Sequence, residues 1–181
     1  RFDYETFVQL GEARAFGEAT RVELKGGRLV EMPHEGSIHL YVRAQLIAIF
    51  SLLAPKLPAG LVWLTDPTIR FSKEDVAIPD FTFGARPQRH QPYGPSDIQL
   101  AIEVGVTTAR YDRTIKRADY AAAGIPHYWL IEPGDAAGEG LVRVHGEPLG
   151  GDYGATRIAR PGESLALPFA PDLRIALGDF L

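Results

Sequence analysis

Two acids in this sequence interrupt apolar strand patterns, and a lysine follows one of them at helical spacing. In IQLAIEVGV, residues 98–106, the bulky Ile98, Leu100, Ile102, Val104 and Val106 alternate with Gln99, Ala101, Glu103 and Gly105. A period of two puts the sets on opposite strand faces, with Glu103 among the small residues. In VAIPDFTF, residues 76–83, Pro79, Phe81 and Phe83 share one face while Ile78, Asp80 and Thr82 share the other. Taken singly, Asp80 is expected to cap a turn. A carboxylate beside aliphatic surface is costly unless it is paired or holds a cation. The two acids lie 23 residues apart, which fits strand–loop–strand. Adjacent strands are about 4.8 Å apart, close enough for both acids to grip one ion. The chain has no cysteine, and no pair of histidines lies nearby. Oxygen donors alone favour Mg²⁺ or Mn²⁺ over Zn²⁺.

The segment after Glu103 supplies a counter-charge. Asp112, Lys116 and Tyr120 fall at i, i+4 and i+8, on one side of a helix. Ile115, Ala118 and Ala122 are the expected packing stripe. Taken singly, Lys116 reads as a surface ion pair with Asp112, worth a few tenths of a kcal/mol. Gly124 and Pro126 stop the helix.

Other elements must position these groups. Asp3 caps a short helix that ends by Gly11. RVELKGGRLVEM, residues 21–32, reads as a hairpin closed by Gly26-Gly27. Glu23 points away from Val22 and Leu24 there and is expected to be solvated. The longest helical pattern covers 37–57, with Ser37 as cap and Ile38, Val42, Leu46, Ile49 and Leu53 as its apolar stripe. His39 and Arg43 lie on a different face, and His39 reads as a structurally bonded or exposed imidazole rather than a ligand. A strand over 62–71 breaks near Asp66-Pro67. Residues 86–95, with Arg86, Arg89 and His90, form a loop. A short strand at 126–133 precedes a turn at 135–140, then an antiparallel pair at 141–145 and 153–158 and a weakly alternating tail at 165–181.

Composition sets outer limits. The 181 residues suit one domain, 1–181. No run of about 18 apolar residues is apparent, so no membrane span is expected. No signal-peptide pattern opens the chain, and the cytoplasm is the expected compartment. A net charge of -4 gives no global pull toward polyanions.

The order Glu23, Pro-Asp80, Glu103-x-small, then a Lys-x-x-x-Tyr helix resembles the PD-(D/E)xK nuclease superfamily. More narrowly, VELKGGRLVEM, VAIPDFTF, AIEV, YDRTIKRADYAAAGIPHYWLIEP and LPFAPDLRIALGDFL resemble the Uma family of restriction endonucleases over nearly the whole chain. The stretch from Asp112 to Trp129 is the most specific. Two departures stand out: Gly105-Val106-Thr107-Thr108 replaces the family's Ser-Pro-Ser-Thr, and Gly105 stands where the superfamily has lysine. The resemblance implies that the lysine has moved to Lys116, reaching Glu103 across space left by Gly105. Thr107 and Thr108 remain as helix caps.

The resemblance implies an α/β (α+β), restriction-endonuclease-like fold: a twisted mixed β-sheet flanked by helices. It also implies a metal-dependent endonuclease acting on nucleic acid, with DNA the expected substrate and a homodimer the expected assembly. Asp80 and Glu103 would hold Mg²⁺ or Mn²⁺, Glu23 would be a third ligand, and Lys116 would orient water or offset charge on phosphate. Asp112, Tyr120 and His39 would support them. Arg86, Arg89, Arg110, Arg113 and Arg117 would supply local positive charge. The competing expectations are a catalytically silent nucleic-acid-binding or assembly module, favoured by the acidic charge and the displaced lysine, and a hydrolase of another phosphoester.

Overall fold

The computed structural model describes residues 1–17, 21–134 and 139–181. Most of the turn expected at 135–140 lies outside them. Helix α1 (Tyr4–Glu12) starts at Asp3, whose carboxylate accepts from the Thr6 amide at 2.8 Å. Strands β1 (Arg21–Lys25) and β2 (Arg28–Met32) form the expected hairpin. Gly26 and Gly27 take φ of 54° and 71°, which glycine adopts without penalty.

Helix α2 (Ser37–Leu53) follows. Gly36, not Ser37, is its N-cap, with no side-chain cap bond. Its buried face is His39, Val42, Leu46 and Phe50, while Ile38 is exposed. The expected stripe is therefore rotated, and His39 belongs to the inward face rather than a separate one. The cause is a helix apolar nearly all round: Leu40, Tyr41, Ile47 and Leu52 are exposed as well. Contrary to the composition reading, Ser37–Lys56 is by length and composition apolar enough to cross a membrane, with mean hydropathy 1.5. Here its inward face packs on the sheet core.

The strand expected around Asp66-Pro67 is divided into β3 (Leu61–Thr65) and β4 (Ile69–Arg70). The pattern at 76–83 is likewise two strands, β5 (Val76–Ala77) and β6 (Phe81–Ala85), in different sheets. Ile78-Pro79-Asp80 is the crossing between them. Proline cannot donate to a ladder, so the break falls there. Strand β7 (Ile98–Val104) leads into α3, which is α-helical over Ala109–Tyr111, π-helical over Asp112–Lys116 and α-helical again over Arg117–Ala122. Strands β8 (His127–Glu132), β9 (Leu141–Leu149), β10 (Asp152–Ala159), β11 (Ser164–Leu167) and β12 (Ala170–Ala176) complete the chain.

The fold is mixed α/β. A six-stranded sheet has the order β10-β9-β8-β7-β6-β3, a four-stranded one the order β2-β1-β5-β4, and β11-β12 form a pair. Among the described residues, only β7 and β8 run parallel in the large sheet, joined through α3. The strand faces separate as the alternation predicts except at Ile98, which lies past the register shift at Phe83/Gly84 and packs with Ala101 instead. Leu100, Ile102 and Val104 join Phe81, Phe83 and the α2 side chains in one core, with Leu165, Leu167, Ile175 and Leu177 from the tail. Ala101 lies on the opposite face with Tyr120, Tyr128 and Leu130.

Candidate functional site

Asp80 stands at the crossing between sheets, where strand breaks leave amides without ladder partners. Its Oδ2 accepts from the Val104 amide at 2.7 Å, and Glu23 Oε1 accepts from the Ile78 amide at 3.0 Å. Such amides must be satisfied when buried. These carboxylates do so while keeping oxygens for other partners. Glu23 is thereby buried, not solvated as its isolated pattern suggested.

Lys116 sits among the acids. Its Nζ lies 2.9 Å from Glu103 Oε1, 3.2 Å from Glu23 Oε1 and 3.9 Å from Asp112 Oδ1, with 3% of the residue exposed. The surface pair with Asp112 is not what forms. Tyr120 donates its hydroxyl to the same Glu103 oxygen at 2.5 Å. The face holding Asp112, Lys116 and Tyr120 is the packed one, and the expected stripe faces outward, with Ile115 42% exposed. In a regular α-helix eight residues over-rotate by about 80°. The wider π turn between Asp112 and Lys116 takes part of that drift back, so all three point inward.

Gly105 provides contact rather than open space. A Cβ there would meet Leu130 Cδ1 at 2.9 Å, the Ala109 Cα at 3.0 Å and Asp112 Oδ2 at 3.2 Å. The start of α3 lies on β7 at this point, leaving no room for a strand lysine. Thr108 is the N-cap, but its hydroxyl donates to Asp112 Oδ2 at 2.6 Å instead of capping the backbone. Asp112 Oδ1 is buried without a hydrogen bond.

Asp80, Glu103, Lys116 and His39 line one cavity of about 130 Å³, with Glu35 and Arg21 at its wall. Glu23 lies across Lys116 and faces a different, smaller pocket. Burial pushes Glu103 up to about 8 against the pull of Lys116, with the charges of Asp80 and Asp112 adding to the rise. Burial also opposes the charge on Lys116, but Glu103, Glu23 and Asp112 outweigh it and hold the ammonium protonated. At Asp80 burial is overcome by the His39 hydrogen bond and by Arg21, which hold the carboxyl well below the usual range. His39 thus does more than fill space: Nε2 is 3.4 Å from Asp80 Oδ2 and Nδ1 is 3.3 Å from Glu35 Oε2. Among the described residues, Glu35, His39 and Asp80 form a group whose ligand atoms lie within 4.8 Å of one another.

Sequence reasoning missed Arg21, Glu35 and Asp66 and gave Arg43 no role. Arg21 donates to Asp80 Oδ1 at 2.8 Å, and Arg43 binds Glu35 at 2.7 Å and Asp66 at 2.5 Å. The spacing Glu35-x-x-x-His39 was a readable signal; the link from Arg21 to Asp80 had none. The expected basic patch is dispersed. Arg113 lies 2.7 Å from Glu132 and Arg117 2.6 Å from Asp152, so their charges are met. Arg110, Arg86 and Arg89 are exposed. Arg86 and Arg89 follow the far end of β6 from Asp80, about 15 Å along the strand.

No curated protein matches the chain. A solved structure from Anabaena variabilis, described as a putative nuclease belonging to DUF820, aligns with a TM-score of 0.74. The alignment covers 99% of this chain and 97% of that one at 16% identity, a likeness of fold. The model of the Uma2 family, described as "Putative restriction endonuclease", matches residues 4–178, a span that contains every candidate site residue. The chain belongs to the Uma2 family.

Proposed function

We propose that this protein is a divalent-cation-dependent endonuclease hydrolysing phosphodiester bonds, with DNA as substrate. The observation that carries the reading is a buried ammonium held by Glu103 on the wall of a cavity that Asp80 also lines. The donors suit a hard cation. Oxygens from Asp80, Glu35 and Glu103 are joined by one imidazole and no thiolate, and His39 Nδ1 has no hydrogen bond of its own. That set fits Mg²⁺ or Mn²⁺. Asp80 would hold the ion with Glu35 and His39 or with Glu103. Glu23 would act through Lys116, 3.2 Å away, rather than as a direct ligand. Bound there, the cation supplies an acidified water and a polarised phosphate. Lys116 offsets charge growing on phosphate oxygens. Tyr120 and Asp112 hold Glu103 and Lys116 in place, with Glu103 easier to ionise once positive charge stands beside it.

The reading includes action in the cytoplasm and a homodimer, since cutting a duplex on both strands takes two sites. A light-scattering mass of one chain would remove the dimer. Calorimetric titration with Mg²⁺ and Mn²⁺, run beside cleavage of plasmid, linear and single-stranded DNA, tests the function. Ion binding with strand scission is expected, and scission should be lost in Lys116→Arg, whose planar fork cannot replace a compact ammonium. DNA binding without scission of any substrate would favour the silent module instead. The pairing of Arg21 with Asp80 is the observation on that side.

A further inference from the structure

The carboxylates of Glu35, Asp66 and Asp80 already have guanidinium partners. Arg21 Nη1 lies 2.8 Å from Asp80 Oδ1, 3.6 Å from Asp66 Oδ1 and 3.8 Å from Glu35 Oε1, while Nη2 donates to the Ile78 carbonyl. Arg43 takes Glu35 and Asp66 at 2.7 and 2.5 Å and stands 3.9 Å from Asp80. Glu35, Asp66 and Asp80 thus face two guanidinium charges and His39. The position a cation would take at Asp80 Oδ1 is held by Arg21, and like charges cannot share it cheaply.

The two arginines are not equivalent. Arg43 makes two bonds to Asp66 and its side chain is 15% exposed. Arg21 lines the cavity, its side chain is 22% exposed, and its Nε is buried without a hydrogen bond. It is therefore less completely satisfied and nearer to anything entering. A guanidinium also matches a phosphate as well as it matches a carboxylate.

We propose that Arg21 is a displaceable counterion: it neutralises Asp80 while no cation is bound, and a nucleic-acid phosphate draws it away so that phosphate and divalent cation enter together. This rests on the divalent-cation reading and adds a coupling to it. Linkage makes the coupling reciprocal, so DNA tightens the ion and the ion tightens DNA by the same factor.

The test is calorimetric Mn²⁺ titration of the full chain and of Arg21→Gln, alone and with a short phosphorothioate duplex that resists hydrolysis. Without DNA, Arg21→Gln should bind Mn²⁺ about tenfold more tightly than the native chain. The duplex should tighten Mn²⁺ binding by a similar factor in the native chain and little in the variant. Mn²⁺ should also raise the melting temperature of the variant more than that of the native chain. Equal or weaker Mn²⁺ affinity in a folded Arg21→Gln overturns the proposal. Should that variant fold only with Mn²⁺ present, Arg21→Lys takes its place: its shorter ammonium cannot span Asp80 and the Ile78 carbonyl. It should show a smaller gain in affinity, and no gain overturns the proposal equally. If neither native chain nor variant binds Mn²⁺, the divalent-cation reading itself fails and the counterion role falls with it. If both bind it alike, only the counterion role is lost.

Discussion

At Lys116 the chain buries an ammonium among three carboxylates, where no solvent can replace a lost partner. Removing one member of a buried pair costs about 3–5 kcal/mol, because the remaining charge stays desolvated. Lys116→Met is expected to lose that much in urea denaturation. Adding Glu103→Gln, which removes one of the acids left without its ammonium, should recover part of it, and strict additivity of the two changes would contradict the pairing. His145 makes a separate prediction. It stacks on Tyr128 and Tyr153, bonds Thr156 through Nδ1 at 2.9 Å, and has a buried Nε2 without a partner. Burial, with Arg117 and Arg143 nearby, pushes its pKa down to about 4. A histidine held neutral in the fold adds stability that is present above its unfolded pKa of about 6.5 and lost as pH falls toward 4. Between those limits the native chain should lose stability, because the unfolded chain takes up the proton first. His145→Gln, which does not titrate, should have a flatter profile, and parallel profiles would count against a neutral His145. At this scale the sequence was most informative where alternation exposed an acid within a strand, as at Glu103; Asp80 was picked out by the same pattern but stands in the break between β5 and β6. It misled where one residue was judged alone. Glu23 resembled any strand glutamate because the amide it serves, that of Ile78, lies 55 residues away.

The helix following β7 shows how one element can be placed correctly and oriented wrongly. Its start, its stop at Gly124 and the alignment of Asp112, Lys116 and Tyr120 were all readable. Its buried face was not, because a rule that sends alanine and isoleucine inward failed where the charged face packs on Glu103. The same ambiguity rotated α2, whose apolar residues encircle it and leave Leu52 75% exposed. The glycine that joins strand to helix provides the test of this geometry. Gly105→Ala forces a methyl against Ala109 and Leu130, and the start of α3 must shift to admit it. Crowding of this kind costs about 1–3 kcal/mol. Thermal or urea denaturation within 0.5 kcal/mol of the native chain would mean that α3 does not rest on β7 as described.

Across the whole molecule, positive charge is scattered rather than massed. With Arg113 and Arg117 paired and Arg86 and Arg89 beyond the far end of β6, few cations remain near the cavity. Duplex affinity should therefore fall only gently with salt, with a log–log slope of about -2 to -3 for two or three phosphates. Fluorescence anisotropy across salt concentrations measures it, and a slope near about -6 would reveal a basic surface of another kind. The layered architecture was legible from alternation, turns and family resemblance. The division of residues 76–83 between two sheets was not, because both halves share one strand-like pattern. That division also bears on how the site comes into being. Lys116 meets Glu103 only 13 residues away, whereas Arg21 meets Asp80 across 59. Closing the longer loop costs about 1.3 kcal/mol more in chain entropy. The half built from β7 and α3 should thus assemble first, and pulse-labelled hydrogen exchange should protect amides of β7 and β8 before that of Ile78. A folding chain would then gather Lys116, Glu103 and Asp80, whose bond to the Val104 amide spans 24 residues, before Arg21 arrives. The restraint on Asp80 would in that sense be the last part fitted, closing over acids and a lysine already brought together.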